Sequence, residues 1–200
     1  MSSVVISGDT SGAITVLAPL VAGTNTLTLQ AATATSAVNK LETAVTCAGQ
    51  TSIDFTSIPS WVKKITVMLN GVSTSGTSSI LVQLGDSGGI ENTGYTGVAV
   101  RPGSSTNAYE LSTAGFPLNE STTAASTYQS LATLALLDAS TNTWVISGTT
   151  STYVANNASF FSGGKSLSAT LDRVRITTVN GTDTFDTTPS AGKINILYEG

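Results

Sequence analysis

The chain has no histidine, one cysteine, five prolines, and only 12 acidic and 8 basic side chains in 200 residues. Without imidazole, acid–base catalysis near neutral pH loses its usual group. Transition-metal sites lose their usual ligand as well. Cys47 is alone, forms no intrachain disulfide, and reads as a small buried hydrophobe. No apolar run approaches the roughly 18 residues of a membrane helix, so no membrane insertion is expected. The opening Met1-Ser2-Ser3-Val4 lacks the charged start and apolar core of a secretion signal. The product is expected to stay in the cytoplasm where it is made, unless it leaves inside an assembly. A net charge of −4 with few cations argues against nucleic acid as a partner. The densest cations, Lys63-Lys64 and Arg173/Arg175, read as solvated strand faces or ion-pair partners.

What fills the chain is small and hydroxylated: 34 Thr and 27 Ser, with 19 Gly. Thr is β-branched and favours strands, whereas Ser and Gly favour turns. The strong helix formers Glu, Lys, Arg, Gln and Met are scarce. At 40% apolar residues the chain is too hydrophobic, and too weakly charged, for general disorder. Its length suits one domain of ordinary size with a short appendage.

Three regions separate. Residues 1–35 read as an extended N-terminal arm of short strands, Val4-Val5-Ile6, Ile14-Thr15-Val16-Leu17 and Thr26-Leu27-Thr28-Leu29, joined by Gly-containing turns. Strands this short carry little core and gain stability against a partner chain. Residues 36–48 fit a short helix, with Ala37, Val38, Leu41, Ala44 and Val45 on one face and Ser36 as N-cap, or a linker running into a strand. Residues 49–200 carry regular strand signals. Ile65, Val67 and Leu69 alternate before a turn at Asn70-Gly71. Ile80 to Leu84 follows, and Leu131 to Leu137 reads as a core strand. Asp138 to Asn142 is a turn before Trp144-Val145-Ile146. Leu167 to Leu171, Val174 to Val179 and Ile194 to Tyr198 complete the set. Many strands without intervening helices predict an all-β fold, an antiparallel β-sandwich or jelly-roll-like domain. The Gly/Ser/Thr-rich stretch at about 85–130 reads as surface loops.

Gly85-Asp86-Ser87-Gly88-Gly89 spells the nucleophile motif of chymotrypsin-like proteases. Ser Oγ needs a base to take its proton, and the chain has no imidazole. The segment therefore reads as a strand-ending turn. The closest acidic groupings are Asp86 with Glu91 and Asp183 with Asp186. They lack calcium-loop spacing, and paired carboxylates alone do not make a glycosidase. Turn and cap roles are expected instead. No catalytic residue, metal site or cofactor is assigned. Trp144 reads as core, and Trp61, after Pro59, as a corner packer. An aromatic face with a polar rim suits a sugar. Among Tyr95, Tyr109, Tyr128 and Tyr153, the first three lie in loop-like sequence and are the candidate ligand contacts.

Four segments carry a resemblance. They are Ile53 to Val72, Val82 to Glu91 with Thr93-Gly94-Tyr95, Lys165 to Asp186, and Ile194 to Glu199. They resemble stretches of tailed-phage virion surface proteins of the tail-fibre-like or head-fibre-like kind. Ile6-Ser7-Gly8-Asp9-Thr10-Ser11-Gly12 and Ala22 to Leu29 resemble a second module of phage virion proteins. Residues 97–130 match neither. The resemblance implies a non-enzymatic structural protein of the virion, a trimeric surface fibre or adhesin anchored by its N-terminal arm. Its expected partners are two further copies, other tail or capsid proteins, and a host-surface polysaccharide or receptor. Two alternatives stand beside this reading: a capsid decoration protein and, more distantly, a polysaccharide depolymerase.

Overall fold

The computed structural model describes residues 3–7, 13–17, 38–103, 105–120, 123, 124, 126–152, 157–187 and 191–200. The chain forms two compact units, Met1–Ser36 and Ala37–Gly200. In the first, β1 (Ser3–Ser7) and β2 (Ala13–Leu17) pair antiparallel, with Ser3 opposite Leu17 and Ser7 opposite Ala13. The strand expected at Thr26 to Leu29 lies outside the described residues.

The second unit begins with β3 (Asn39–Leu41), β4 (Val45–Thr46), β5 (Ile53–Phe55) and β6 (Lys64–Val72). Next come β7 (Ile80–Asp86), β8 (Gly89–Ile90), β9 (Thr96–Arg101), β10 (Ala108–Ser112) and β11 (Phe116–Pro117). The long strands β12 (Tyr128–Asp138), β13 (Thr143–Thr152) and β14 (Asn157–Ser166) precede β15 (Arg173–Thr178) and β16 (Lys193–Glu199). A nine-stranded sheet runs β10-β9-β14-β13-β12-β6-β16-β3, with β4 also on β16. A five-stranded sheet runs β11-β7-β15-β5, with β8 on β7. Every pairing among the described residues is antiparallel. The fold is an all-β sandwich, as composition and alternation predict.

Alternation builds the core. Ile65, Val67 and Leu69 of β6, Ile194 and Ile196 of β16, and Ala132 and Leu134 of β12 are buried from the large sheet. Ile53, Phe55, Val82, Leu84, Val174 and Ile176 meet them from the small one. Each large apolar side chain withdrawn from water stabilises by about 1.5–3 kcal/mol. β7 is buried along its whole length because it is central in the small sheet. Cys47 is fully buried, and Trp144 is a core residue. Trp61 is half-buried and packs where the chain end returns to the sheet.

Four expectations are corrected. No helix forms at 38–48. Of the two readings offered for it, the stretch is nearer the connection into strand: it holds two short strands, β3 and β4, because the backbone of β16 offers them a ladder. Asn70-Gly71 is not a turn. β6 continues to Val72, and Gly71, with φ 67°, sits where the pairing with β12 shifts register, as in a β-bulge. Leu167 to Leu171 is a connection, not a strand, although Leu167 and Leu171 are buried. The stretch 85–130 is not loop throughout: between its turns and connections it contributes β8, β9, β10 and β11. By contrast, Asp138 to Asn142 turns as expected, with Asp138 accepting the Ser140 N–H at 2.8 Å and Asn142 at φ 49°.

Candidate functional surfaces of the sandwich

The three candidate tyrosines go to different places. Tyr95 is not a surface group but 1% exposed, with its ring edge-on to Phe116 at 4.9 Å. Its hydroxyl accepts the Leu84 N–H at 2.7 Å and lies 2.8 Å from the Glu91 carbonyl and 3.1 Å from that of Leu84. It thereby fills the gap in the β7 ladder between β11 and β8. Burial pushes the Tyr95 phenol well above its ordinary range. Tyr128 is buried and its hydroxyl accepts the Thr123 N–H at 2.9 Å. Tyr109, on edge strand β10, is 65% exposed. Tyr153 lies outside the described residues.

The protease-like motif crosses from the end of β7 into β8, with Ser87 exposed. Asp86 accepts the Gly88 N–H at 2.7 Å, and Gly89 takes φ 137°. Asp86 and Glu91 converge on one hydroxyl: Ser168 Oγ lies 2.6 Å from Asp86 and 2.8 Å from Glu91. These carboxylates pin the connection after β14. The hydrogen bonds from Ser168 and the Gly88 N–H hold Asp86 below the ordinary carboxylate range. Burial pushes Glu91 up, but the Lys165 ammonium and the Ser168 donors outweigh it and leave Glu91 low. Lys165 is buried, ion-paired to Glu91, and sits 5.3 Å from the Tyr95 ring centre. Asp183 accepts the Ser78 N–H at 3.1 Å and Asp186 the Ser73 hydroxyl at 3.0 Å. Of the four clustered cations, Lys64 is ion-paired across strands to Glu199 at 2.9 Å and Arg175 is forked onto Asp54 at 2.7 Å, while Arg173 pairs with its neighbour Asp172. Among the described residues no three acidic, Cys or His side chains gather as a metal site. No helix among them is long and apolar enough to cross a membrane.

Two surfaces do stand out. The first is the outer face of the large sheet. Tyr109, Val100, Phe160, Thr149, Leu131 and Met68 form one cross-strand row over six strands. Leu111, Val98, Ser162, Ser147, Thr133 and Thr66 form the next. Neither row holds a charge. Leu111, Phe160 and Leu131 are 67%, 56% and 55% exposed. Leu131 to Leu137 reads in sequence as a core strand, yet alternation sends Leu131 and Leu137 outward.

The second is a cleft at one end of the sandwich. There the inward positions change from apolar to polar: Arg101 follows Ala99 on β9, and Ser130 and Tyr128 precede Ala132 on β12. Thr150 and Thr152 follow Ile146 on β13, and Ser159 precedes Phe161 on β14. They help enclose a cavity of about 270 Å³, completed by Asn119, Glu120, Thr123, Ser151 and Asn157. Arg101 is forked onto Glu120 at 2.7 and 3.2 Å, and the paired carboxylate raises the guanidinium further. Thr150 donates to Ser130 Oγ at 2.9 Å. Thr152 Oγ1 is buried without a hydrogen-bond partner among the described residues. Of the three candidate tyrosines, only Tyr128 reaches this cleft, whereas Tyr109 belongs to the outer face. Sequence reading missed Arg101, Thr152 and Ser159, because their significance lies in an inward register that only the strand pairing fixes. Comparison of the chain with protein-family models, curated proteins and solved structures finds no match.

Proposed function

We propose that the chain is a non-enzymatic structural protein of a tailed-phage virion, a self-associating surface fibre or adhesin anchored by residues 1–35. The observation that carries self-association is the neutral outer face of the large sheet. In its two uncharged middle rows the four most exposed large side chains, Tyr109, Leu111, Phe160 and Leu131, leave on the order of 500 Å² open to water, near the largest patch of an ordinary monomer. With the half-buried Val98, Val100 and Met68 beside them, the face approaches the roughly 800 Å² per partner of a standard interface. A partner with a charged surface would bury those charges unpaired, whereas an identical copy brings an equally neutral face. The occupant is therefore a further copy of this chain. The three-fold order and the virion setting come from the sequence resemblance. In the second unit the segments that carry it include β5, β6, β8, β15, β16 and most of β7, a packing frame. The unmatched stretch 97–130 supplies Tyr109 and Leu111 to the face and Arg101, Glu120 and Tyr128 to the cleft.

The test is quantitative mass spectrometry of purified particles. A few to tens of copies per particle are expected for a tail fibre. Hundreds of copies would favour capsid decoration, and absence from the particle would overturn the virion reading.

A further inference from the structure

We infer that the polar cleft between β9, β12, β13 and β14 is a binding site for a single neutral sugar unit, recognised through its hydroxyls. A sandwich interior gains from apolar side chains, and polar ones there cost free energy unless paired. Yet Arg101, Tyr128, Thr150, Thr152 and Ser159 all take inward registers at the same end. The buried Thr152 hydroxyl, 8% exposed as a residue, has no hydrogen-bond partner among the described residues. Orphaned buried hydroxyls are rare and cost about 1–3 kcal/mol, and a ligand hydroxyl would satisfy this one.

Charge and size narrow the ligand class. The forked Arg101–Glu120 pair cancels its own charge, so among the described residues the cleft offers no unneutralised cation to a phosphate or sulfate. It does set a donor-only group beside an acceptor-only group. Adjacent hydroxyls of a sugar ring each donate and accept, so a vicinal diol can bridge such a pair. At about 270 Å³ the cavity lies at the small end of ligand pockets, suited to one ring and not to an extended chain.

The source of the sugar, a host-surface polysaccharide, rests on the adhesin reading. The binding itself does not, and it is measured on the isolated full chain. Ligand-observed saturation-transfer NMR with D-glucose, D-galactose, L-rhamnose and N-acetyl-D-glucosamine is the test, with inorganic phosphate as competitor. At least one sugar is expected to bind saturably, with no displacement by phosphate. Thr152→Val keeps the shape and removes the orphan hydroxyl. It is expected to weaken binding about tenfold while raising the thermal midpoint. A hydroxyl with a purely structural role would not separate those two readouts in opposite directions. Ser159→Ala carries the same binding test should Thr152→Val fold poorly. No binding by any of the four sugars, undiminished binding by the variants, or displacement by phosphate would each overturn the site. None of these outcomes bears on particle incorporation or self-association.

Discussion

Tyr95 is an aromatic residue in a Gly/Thr-rich context, and the strand pairing turns it into an internal strut. Its hydroxyl satisfies the Leu84 N–H in the gap between β11 and β8. Tyr95→Phe orphans that buried donor and is expected to cost about 1–3 kcal/mol in urea unfolding. Glu91 meets the same knot through Lys165. Its depressed pKa adds stability that is fully present above the ordinary value of 4.5 and is lost as pH falls through the lower folded value. Asp86 acts in the same sense from 3.8 downward. Burial pushes the Cys47 thiol the other way, from 9.0 up to about 11. Its contribution is present below 9 and lost as pH rises towards 11. With no histidine in the chain, urea midpoints are expected to be flat from about pH 5 to 8 and to fall on both sides. Glu91→Gln strands the buried Lys165 ammonium and is expected to cost about 3 kcal/mol at pH 7, with a shallower acid limb. An acid limb unchanged in that variant would show that other carboxylates set it.

At the scale of elements, what was legible in the sequence was periodicity. Ile65, Val67 and Leu69 announce β6, and Ile194 to Tyr198 announces β16, because a strand with one buried face writes period two into its residues. Segments whose conformation is set by a distant neighbour were not legible. Asn39 to Leu41 carries helix-compatible spacing, but β16 offers it hydrogen bonds that a three-residue helical fragment could not supply for itself. The site was legible only in part. Tyr128 and Tyr109 were visible as aromatics in polar sequence, but which face each would take depended on register, and Tyr95 took the inward one. Gly71 shows the same limit. Its tolerance of positive φ was readable, its use in a bulge was not. At φ 67° any side chain there is strained, so Gly71→Ala is expected to cost about 1–2 kcal/mol in chemical unfolding. No loss in that variant would mean that β6 can pair with β12 in a regular register.

For the whole molecule, the deciding property is the surface left uncovered. β-Sheet proteins ordinarily place charges on exposed faces and edges to prevent association. Here the ionic groups lie at the margins of the large sheet, as in the Lys64–Glu199 pair, while the two middle rows are hydroxyl and apolar. Such a face is stable in water only at the cost of its own exposure, so a second neutral face lowers the free energy of both. Light scattering of the full chain is expected to give about three times 20.2 kDa. Leu131 and Phe160 project from this face and make little of the core, so the double substitution Leu131→Arg with Phe160→Arg should leave the sandwich folded. It places two like charges on each copy where copies meet. Without pairing partners these oppose association by several kcal/mol, and the variant is expected to run at the monomer mass with its far-UV β signature intact. A variant that keeps the oligomeric mass would move the interface elsewhere, with the N-terminal unit as the next segment to remove. A wild-type chain that is monomeric at micromolar concentration would end the self-association reading and leave the outer face to a different partner.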